Sequence, residues 1–314
     1  MEFKHTPVLY EECISYLNIK PDGIYVDCTL GGAGHARYIA SRLTTGKLIG
    51  IDQDQAAIDA ASDILSGFES QIKVVRGNFS DIKNILTSVN IYKADGFLMD
   101  LGVSSYQLDN ADRGFSYMKN ADLDMRMDDR NKLTAYQIVN YYNESQLTKI
   151  FFEYGEERYA KRVSKAIIKA RSVNPINTTF ELSDIIKSAL PKQAKEGGHH
   201  PAKRIFQAIR IEVNTELEIL NNALTDMISL LNPGGRICVI AYHSLEDRIV
   251  KQCFKHWEKP CECPPKLPCA CGLKPLVHIV TKKPLTPDAH EIMDNHRARS
   301  AKLRVAERVS EGYE

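Results

Sequence analysis

The stretch Tyr25-Val-Asp-Cys-Thr-Leu-Gly-Gly-Ala-Gly-His35, together with Leu48-Ile-Gly-Ile-Asp52, decides the fold of this chain. The first stretch is typical of a buried strand that ends in a glycine-rich turn and leads into a helix, and the second of a strand that ends in an acid. Glycines let backbone N–H groups approach a ligand closely, and an acid after the second strand accepts hydrogen bonds from ribose hydroxyls. Together they predict the first half of a nucleotide-binding α/β sheet.

Strands and helices alternate along the first hundred residues. Strands are predicted over 24–28, 47–51, 72–75 and 94–100, and helices over 35–43 and 54–65. This alternation indicates a mainly parallel sheet, in which ligands bind at the carboxyl ends of the strands. Asp27, Asp52, Phe79 and Asp100 fall at or near those ends. One such acid alone is more often a turn former or helix cap, but four residues at corresponding positions indicate a binding site.

The alternation stops after Ser105. Helices are predicted over 133–170, 179–190 and 215–231, and a strand follows over 234–241. We therefore expect a discontinuous α/β domain over 1–110 and 216–314, with an inserted helical domain over 111–215.

The composition is that of an ordinary globular protein, with 43% hydrophobic and 26% charged residues. The net charge of +1 leaves a nucleic-acid partner open, since local charge can be uneven. No apolar run approaches the ~18 residues that span a bilayer, and the start of the chain lacks the order of a signal peptide. We expect a cytoplasmic protein without membrane contact, and its sequence is compatible with a homodimer.

Four of the eight cysteines are clustered as Cys261-x-Cys263 and Cys269-x-Cys271. Zinc sites more often have two to four residues within each cysteine pair. The sequence therefore favours reduced loop cysteines over a zinc site, and we assign no metal ligands from it.

The glycine turn itself discriminates between cofactors. The dinucleotide fingerprint G-x-G-x-x-G needs a third glycine where Arg37 stands. Asp27, Gly31 and Gly34 instead meet the looser Asp-x-x-x-Gly-x-x-Gly spacing of methyltransferases. The turn favours S-adenosylmethionine, with a NAD-dependent oxidoreductase as the alternative.

Asp100 begins the segment Asp100-Leu-Gly-Val-Ser-Ser105, where methyltransferases of amino groups carry their reactive loop. An exocyclic base amine is a poor nucleophile because its lone pair is delocalised into the ring, so its N–H needs an oriented acceptor. Asp100 is either that acceptor or a partner of the ammonium group of the cofactor.

Motifs spread over nearly the whole chain resemble those of the bacterial 16S ribosomal RNA cytosine N4-methyltransferases, the family called RsmH or MraW. They are His5-Thr-Pro-Val-Leu, Asp27 to His35, Asp100-Leu-Gly-Val-Ser-Ser-Tyr-Gln-Leu-Asp109, Arg113-Gly-Phe-Ser116, Leu123-Asp-Met-Arg-Met-Asp128, His200-Pro-Ala-Lys-Arg204, His243-Ser-Leu-Glu-Asp-Arg248 and Arg297-Ala-Arg-Ser-Ala-Lys-Leu-Arg304. Two loops depart from the family: Tyr106 replaces a proline, and Asn120-Ala-Asp122 replaces a usual Gly-Pro. Both changes loosen a loop that a proline would stiffen, and Gln107 directly follows the first of them, Tyr106.

The resemblance implies a Rossmann-like class I S-adenosylmethionine-dependent methyltransferase with a mainly parallel sheet and an inserted α-helical domain for RNA recognition. The implied reaction is N4-methylation of a cytosine in the decoding region, at the P site, of 16S ribosomal RNA in the small ribosomal subunit, with Asp100 as the catalytic residue. A non-catalytic ribosome-binding or assembly factor with the same fold is the alternative. The residues that fall where the family contacts the cofactor are Ala33, Gly34, His35, Asp52, Phe79, Asp100 and Gln107.

Basic residues recur at helical spacing in the inserted region, with no acid between them. They are Arg158, Lys161, Arg162, Lys165 and Lys169. A solvated helix face is the ordinary explanation of such a run, but separate basic clusters in a chain of low net charge favour a focused phosphate-binding surface. The other candidate RNA contacts are Lys203, Arg204, Arg210, Arg297, Arg299, Lys302 and Arg304.

Two further sets of residues are candidates for the target base. Tyr106, Phe115 and Tyr117 would stack on a flipped base unless they belong to the core. His243 follows a strand and is a candidate to lie near the substrate. The alternative is that His243 only hydrogen-bonds a loop and that Glu246 and Asp247 only cap the next helix.

Overall fold

The computed structural model describes residues 7–191, 200–264 and 270–310. His5 and Thr6 of the first motif and Cys269 lie outside the described residues. The chain divides into two compact units, one of Met1–Gly102 with Leu217–Glu314 and one of Val103–Glu216. The first boundary falls at 102, rather than at the expected 110.

The first unit is built on a seven-stranded sheet. Its strands are β1 (Ile24–Asp27), β2 (Lys47–Asp52), β3 (Ile72–Arg76), β4 (Ala94–Asp100), β5 (Leu231–Ala241), β6 (Val277–Ile279) and β7 (Lys302–Arg308). Their order is β3-β2-β1-β4-β5-β7-β6. The first five strands are parallel, and β7 runs antiparallel to both β5 and β6.

Six helices of 6 to 15 residues accompany these strands in the described part of the first unit. They are α1 (Tyr10–Leu17), α2 (Gly34–Ala40), α3 (Gln55–Ile64), α4 (Ile82–Ser88), α12 (Ser244–Glu258) and α13 (Ala289–Asp294). Short 3-10 turns cover Phe79–Asp81 and His296–Ser300. The helix α11 (Glu216–Leu230) begins at the boundary and leads into β5.

Neighbouring residues on one strand belong to different apolar clusters. Val26, Phe97 and Val239 pack in one cluster, which also holds Trp257. Tyr25, Leu98 and Ile240 pack in the other. Because side chains alternate between the two faces of a strand, both faces of the sheet are covered. The sequence predicted β4 with its observed bounds, whereas it did not predict β7.

The second unit is helical. Its helices are α5 (Ser105–Asp109), α6 (Ala135–Tyr141), α7 (Glu144–Glu153), α8 (Ala160–Arg171), α9 (Thr179–Ala189) and α10 (Lys203–Asn214), with a 3-10 turn at Ala111–Arg113. The region 133–170, predicted only as helical, contains three separate helices. Thr134, Asn143 and Thr178 each begin a helix with a capping box, in which a Gln or Glu three residues later bonds back to the cap.

One apolar cluster holds the second unit together, with Phe151, Ile167 and Ile209 fully buried in it. The Asn214 side chain fixes the motif at 123–128, because its amide donates to Met125 O (2.8 Å) and its Oδ1 accepts from Met127 N (2.8 Å). Within the described ranges no helix combines the length and apolarity that crossing a membrane would require.

Candidate active site

The glycine turn joins β1 to α2 and is fixed by bonds to the end of β2. Leu30 N donates to Ile51 O (2.9 Å), and Gly31 N donates to Asp52 Oδ2 (2.8 Å). Gly31 has a φ of 49° and Ala33 a φ of 57°, so the backbone is left-handed at both positions. A Cβ at Gly34 would overlap the ring of Pro7. The packing of Pro7 against the turn therefore requires a residue without a Cβ at position 34.

Asp52 ends β2 and contacts this turn. Its second oxygen, Oδ1, accepts from Asp54 N at 2.9 Å. Burial raises the pKa of Asp52, although these backbone amides oppose the shift. The backbone amide of Gln53 also bonds this carboxylate, so about one of its roughly four lone-pair positions remains for another donor. Phe79 begins the 3-10 turn that follows β3 and is half-buried.

Asp100 ends β4 and is held from two sides. Its backbone N–H donates to Thr29 Oγ1 at 2.7 Å, and the Tyr242 hydroxyl donates to its Oδ1 at 2.7 Å. Burial raises the pKa of Tyr242 well above its ordinary value, so the phenol keeps its proton. The side chain of Asp100 remains 26% exposed. The carboxylate is thus oriented by the protein yet accessible.

His35 faces the other oxygen of Asp100, with Nδ1 at 3.9 Å from Oδ2. The Nε2 of His35 lies 3.0 Å from the carbonyl oxygen of Val8, which can only accept, so Nε2 carries the proton. Burial lowers the pKa of His35, and the ring is neutral at pH 7. His35 Nδ1 and Asp100 Oδ2 are then two neighbouring acceptors, an arrangement that suits a group with N–H donors.

Asp27 ends β1 and is buried. Its Oδ1 accepts from Thr29 N at 3.1 Å. Burial, with a smaller contribution from the negative charges of Asp100 and Asp52, raises the pKa of Asp27 to about 7, although the bond from Thr29 N–H opposes the shift. Asp27, Asp52 and Asp100 therefore all lie around the glycine turn. Burial makes Asp27 hard to ionise.

This raised pKa makes stability depend on pH. Between the ordinary value of 3.8 and about 7, the folded state keeps the Asp27 proton that the unfolded state has lost. Stability therefore falls as pH rises through that window. Relative to Asp27→Asn, the wild type should lose about 1–3 kcal/mol between about pH 5 and about pH 8.

Urea unfolding of both proteins at the two pH values measures this difference. Asp63→Asn, on the exposed side of α3, is the matched control and should follow the wild type. Identical pH dependence in wild type and Asp27→Asn would contradict the assignment.

The remaining predicted cofactor residue, Gln107, lies in the second unit and is buried. Its Oε1 accepts from Ser104 N (3.1 Å), and its backbone N–H donates to Ser104 Oγ (3.2 Å), as in a capping box. Gln107 thus shapes the start of α5, and its contact with a cofactor stays a prediction. Of the candidate stacking aromatics, Phe115 is buried in the core, Tyr106 is 38% exposed, and Tyr117 stacks on His200 (4.3 Å between centroids).

The predicted basic stripe lies on one side of α8. Val163, Ser164 and Ile167 form the buried side of this helix. The exposed basic residues are Lys161, Arg162, Lys165 and Lys169, with Arg158 just before the helix. Among the residues described, none of the five has an acidic side chain within ion-pair distance. We call these five residues the basic face. Lys203 and Arg204, which begin α10, are also exposed.

Three other candidate RNA contacts have intramolecular partners. Arg304 is buried and its Nε donates to Asp247 Oδ1 at 2.6 Å, and Lys302 reaches the same carboxylate at 3.4 Å. Arg210 pairs with Glu216 through two bonds of 2.8 and 2.9 Å. These ion pairs give the three side chains an intramolecular role, and their contact with RNA stays a prediction. Arg297 and Arg299 are exposed.

His243 caps the N-terminus of α12. Its Nδ1 accepts from Glu246 N at 3.4 Å, and the Glu246 carboxylate accepts from the backbone N–H of Tyr242 and of His243. The helix-capping explanation therefore holds for Glu246, and a substrate contact by His243 stays a prediction. Asp247 pairs with Arg304 instead.

Sequence reasoning missed Tyr242, although it considered the adjacent His243. The available signal was position, because Tyr242 directly follows the buried strand β5 next to β4 in the sheet. An aromatic side chain there reaches the carboxylate at the end of β4.

The sheet order, with one antiparallel strand between β5 and β6, and the acids around the glycine turn define a Rossmann-like class I fold of S-adenosylmethionine-dependent methyltransferases. The model of the MraW methylase family matches residues 2–309, and the chain belongs to that family.

Its relatives include the ribosomal RNA small subunit methyltransferase H of Clostridioides difficile (strain 630), 56% identical over 98% of this chain and 100% of the relative. The protein of the same name from Finegoldia magna is 53% identical, with coverage of 98% and 100%.

Solved structures with a similar architecture include an rRNA methylase from Streptococcus thermophilus, with a TM-score of 0.43, 10% identity and coverage of 96% of this chain and 94% of that one. A SAM-dependent O-methyltransferase from Thermotoga maritima has a TM-score of 0.43, 9% identity and coverage of 100% and 71%. The chain's membership of the family follows from the family model and the sequence relatives, and not from these structural similarities.

Proposed function

We propose that this protein transfers a methyl group from S-adenosylmethionine to N4 of a cytosine in the decoding region, at the P site, of 16S ribosomal RNA in the small ribosomal subunit. The observation that carries the proposal is the Asp100 carboxylate, which Tyr242 orients at the end of β4 and which stays accessible. The names of the relatives supply the class of RNA, since both are ribosomal RNA small subunit methyltransferases.

The residues around the glycine turn fit the proposed cofactor. Asp52 keeps acceptor capacity for a ribose hydroxyl after binding the backbone amides of Gly31, Asp54 and Gln53. The acceptors of His35 and Asp100 suit an amine or ammonium group. When bound, S-adenosylmethionine supplies an electrophilic methyl group on a sulfonium sulfur. The proposed contact set is Ala33, Gly34, His35, Asp52, Phe79, Asp100 and Gln107.

Asp100 is the proposed catalytic residue. Methylation of an exocyclic amine requires that the nitrogen lone pair points at the methyl group and that one proton leaves the nitrogen. Oδ1 accepts from the Tyr242 hydroxyl, and the carboxylate, 26% exposed, is the proposed acceptor of the cytosine N4–H that orients the amine. The neutral His35 adds no competing positive charge at this carboxylate.

RNA binding is assigned to the second unit. The proposed phosphate contacts are Arg158, Arg162 and Lys165 of the basic face, with Lys203, Arg204 and His243 as further substrate contacts. The support is that the basic face is exposed and lacks acidic partners in the described part of the chain. A cation without a local partner is available to neutralise phosphate.

Asp52→Ala tests the ribose contact. Removing charge-assisted bonds should weaken S-adenosylmethionine binding by about 1–3 kcal/mol. Isothermal titration calorimetry measures the dissociation constant, with Asp63→Ala as the matched surface control. Because Asp52 also fixes the turn, Asp52→Asn, which keeps one acceptor oxygen, should show an intermediate loss. An unchanged constant in both Asp52 variants means that the ribose is held elsewhere.

The proposed reaction is tested with S-adenosylmethionine carrying a labelled methyl group. Small ribosomal subunits and naked 16S RNA are each incubated with the protein, and the RNA is digested to nucleosides. We expect the label in N4-methylcytidine. Label in another nucleoside, or in none from either substrate, would refute the proposed specificity.

A further inference from the structure

The loop between α12 and β6 brings three thiols together. The Sγ atoms of Cys261, Cys263 and Cys271 all lie within 4.8 Å of one another. None of the three forms a disulfide, and Cys261 and Cys271 are exposed. This group lies apart from the glycine turn in sequence and plays no part in the methyl-transfer reaction proposed above.

The distances are close to those of a metal-thiolate centre. A zinc–sulfur bond of about 2.3 Å and tetrahedral angles place two sulfur ligands about 3.8 Å apart. The observed group needs a contraction of roughly 1 Å or less to reach that geometry. Rotation of exposed cysteine side chains is sufficient for such a shift.

The chemistry of the sulfur ligands indicates which metal the group would take. A thiolate is the form that binds zinc, and soft sulfur ligands select zinc over magnesium or calcium.

The ends of the loop are already tied together. Leu276 N donates to Trp257 O at 2.8 Å, so the segment leaves α12 and returns beside it. Cys261 and Cys263 lie just after the helix, and Cys271 lies on the returning part. A metal ion bound by the three would crosslink the two arms and remove conformational freedom from the loop.

We propose that Cys261, Cys263 and Cys271 bind one zinc ion that fixes the loop between α12 and β6. The site is defined without Cys269, which lies outside the described residues. Three thiolates leave one position of a tetrahedral ion to a further ligand.

The test uses the full-length chain, purified under reducing conditions without chelator. We expect one zinc per chain by elemental mass spectrometry in the wild type, and none in the triple variant Cys261→Ser, Cys263→Ser, Cys271→Ser. Cys253→Ser, a half-buried cysteine on α12, is the matched control and should keep its zinc. Metal-free wild type titrated with Co²⁺ should show the thiolate charge-transfer and visible bands of tetrahedral coordination.

Three outcomes would overturn the proposal. The first is a wild type that takes up neither zinc nor cobalt while its thiols are reduced. The second is zinc content that persists in the triple variant when circular dichroism shows that variant to be folded. The third is an intramolecular disulfide among these cysteines in the freshly purified protein, detected by intact mass before and after alkylation.

Discussion

Asp100→Ala should lower kcat for methyl transfer by about 10²–10⁴-fold at saturating S-adenosylmethionine, because the amine loses the acceptor that orients it. Binding to small ribosomal subunits should be unchanged, since the variant leaves the basic face intact. Asp100→Asn keeps an oxygen for the Tyr242 hydroxyl and should fall nearly as far, which separates loss of the carboxylate from collapse of the site. Single-turnover methyl transfer and subunit sedimentation measure the two properties.

Asp63→Ala, an exposed acid on α3, should leave both properties at the wild-type level. A kcat close to that of the wild type in Asp100→Ala would remove Asp100 from the mechanism. A wild type that binds subunits but transfers no methyl group would instead support the alternative of a non-catalytic assembly factor.

Removal of four charges from the basic face should weaken RNA binding strongly and in a salt-dependent way. The variant carries Arg158→Ala, Lys161→Ala, Arg162→Ala and Lys165→Ala. If each cation neutralises one phosphate, the slope of log affinity against log salt should become shallower by about 3, and affinity at low salt should fall by about 10²–10³-fold. Binding of the subunit over a range of salt concentrations measures both quantities.

A control with the same change in net charge distinguishes a local surface from general attraction. It carries Arg42→Ala, Lys73→Ala, Lys251→Ala and Lys255→Ala, all at exposed positions of the first unit. Its salt slope should stay near that of the wild type. Equal losses in both variants would mean that the basic face is only a solvated side of α8.

Local sequence patterns were sufficient for most of the sheet because its strands are buried on both faces. β4 contains the run Gly96-Phe-Leu-Met99 between Asp95 and Asp100, and its predicted bounds equal the observed ones. The sequence did not predict β7 because Lys302 and Arg304 interrupt its apolar pattern. Both side chains form ion pairs with Asp247 on α12. That pairing joins residues far apart in sequence, and the same two side chains were therefore interpreted as RNA contacts.

The helical region shows the opposite case, in which a local signal was present but unused. Thr134 and Asn143 each precede a Gln by three residues, a pattern that marks the start of a helix. At the candidate site, the sequence named Asp52 and Asp100 from their places after strands. It could not reveal that the Tyr242 hydroxyl holds Asp100, since that contact depends on the register between β4 and β5.

The place of β7 in the sheet has a consequence for biosynthesis. Residues 302–308 form the strand between β5 and β6. A nascent chain that has emerged from the ribosome only as far as residue 300 therefore still has an unpaired edge on β5. Exposed strand edges recruit other strands and promote aggregation. The sheet is therefore complete only after residues 302–308 have been synthesised, and a chain truncated before residue 302 would present an association-prone strand edge.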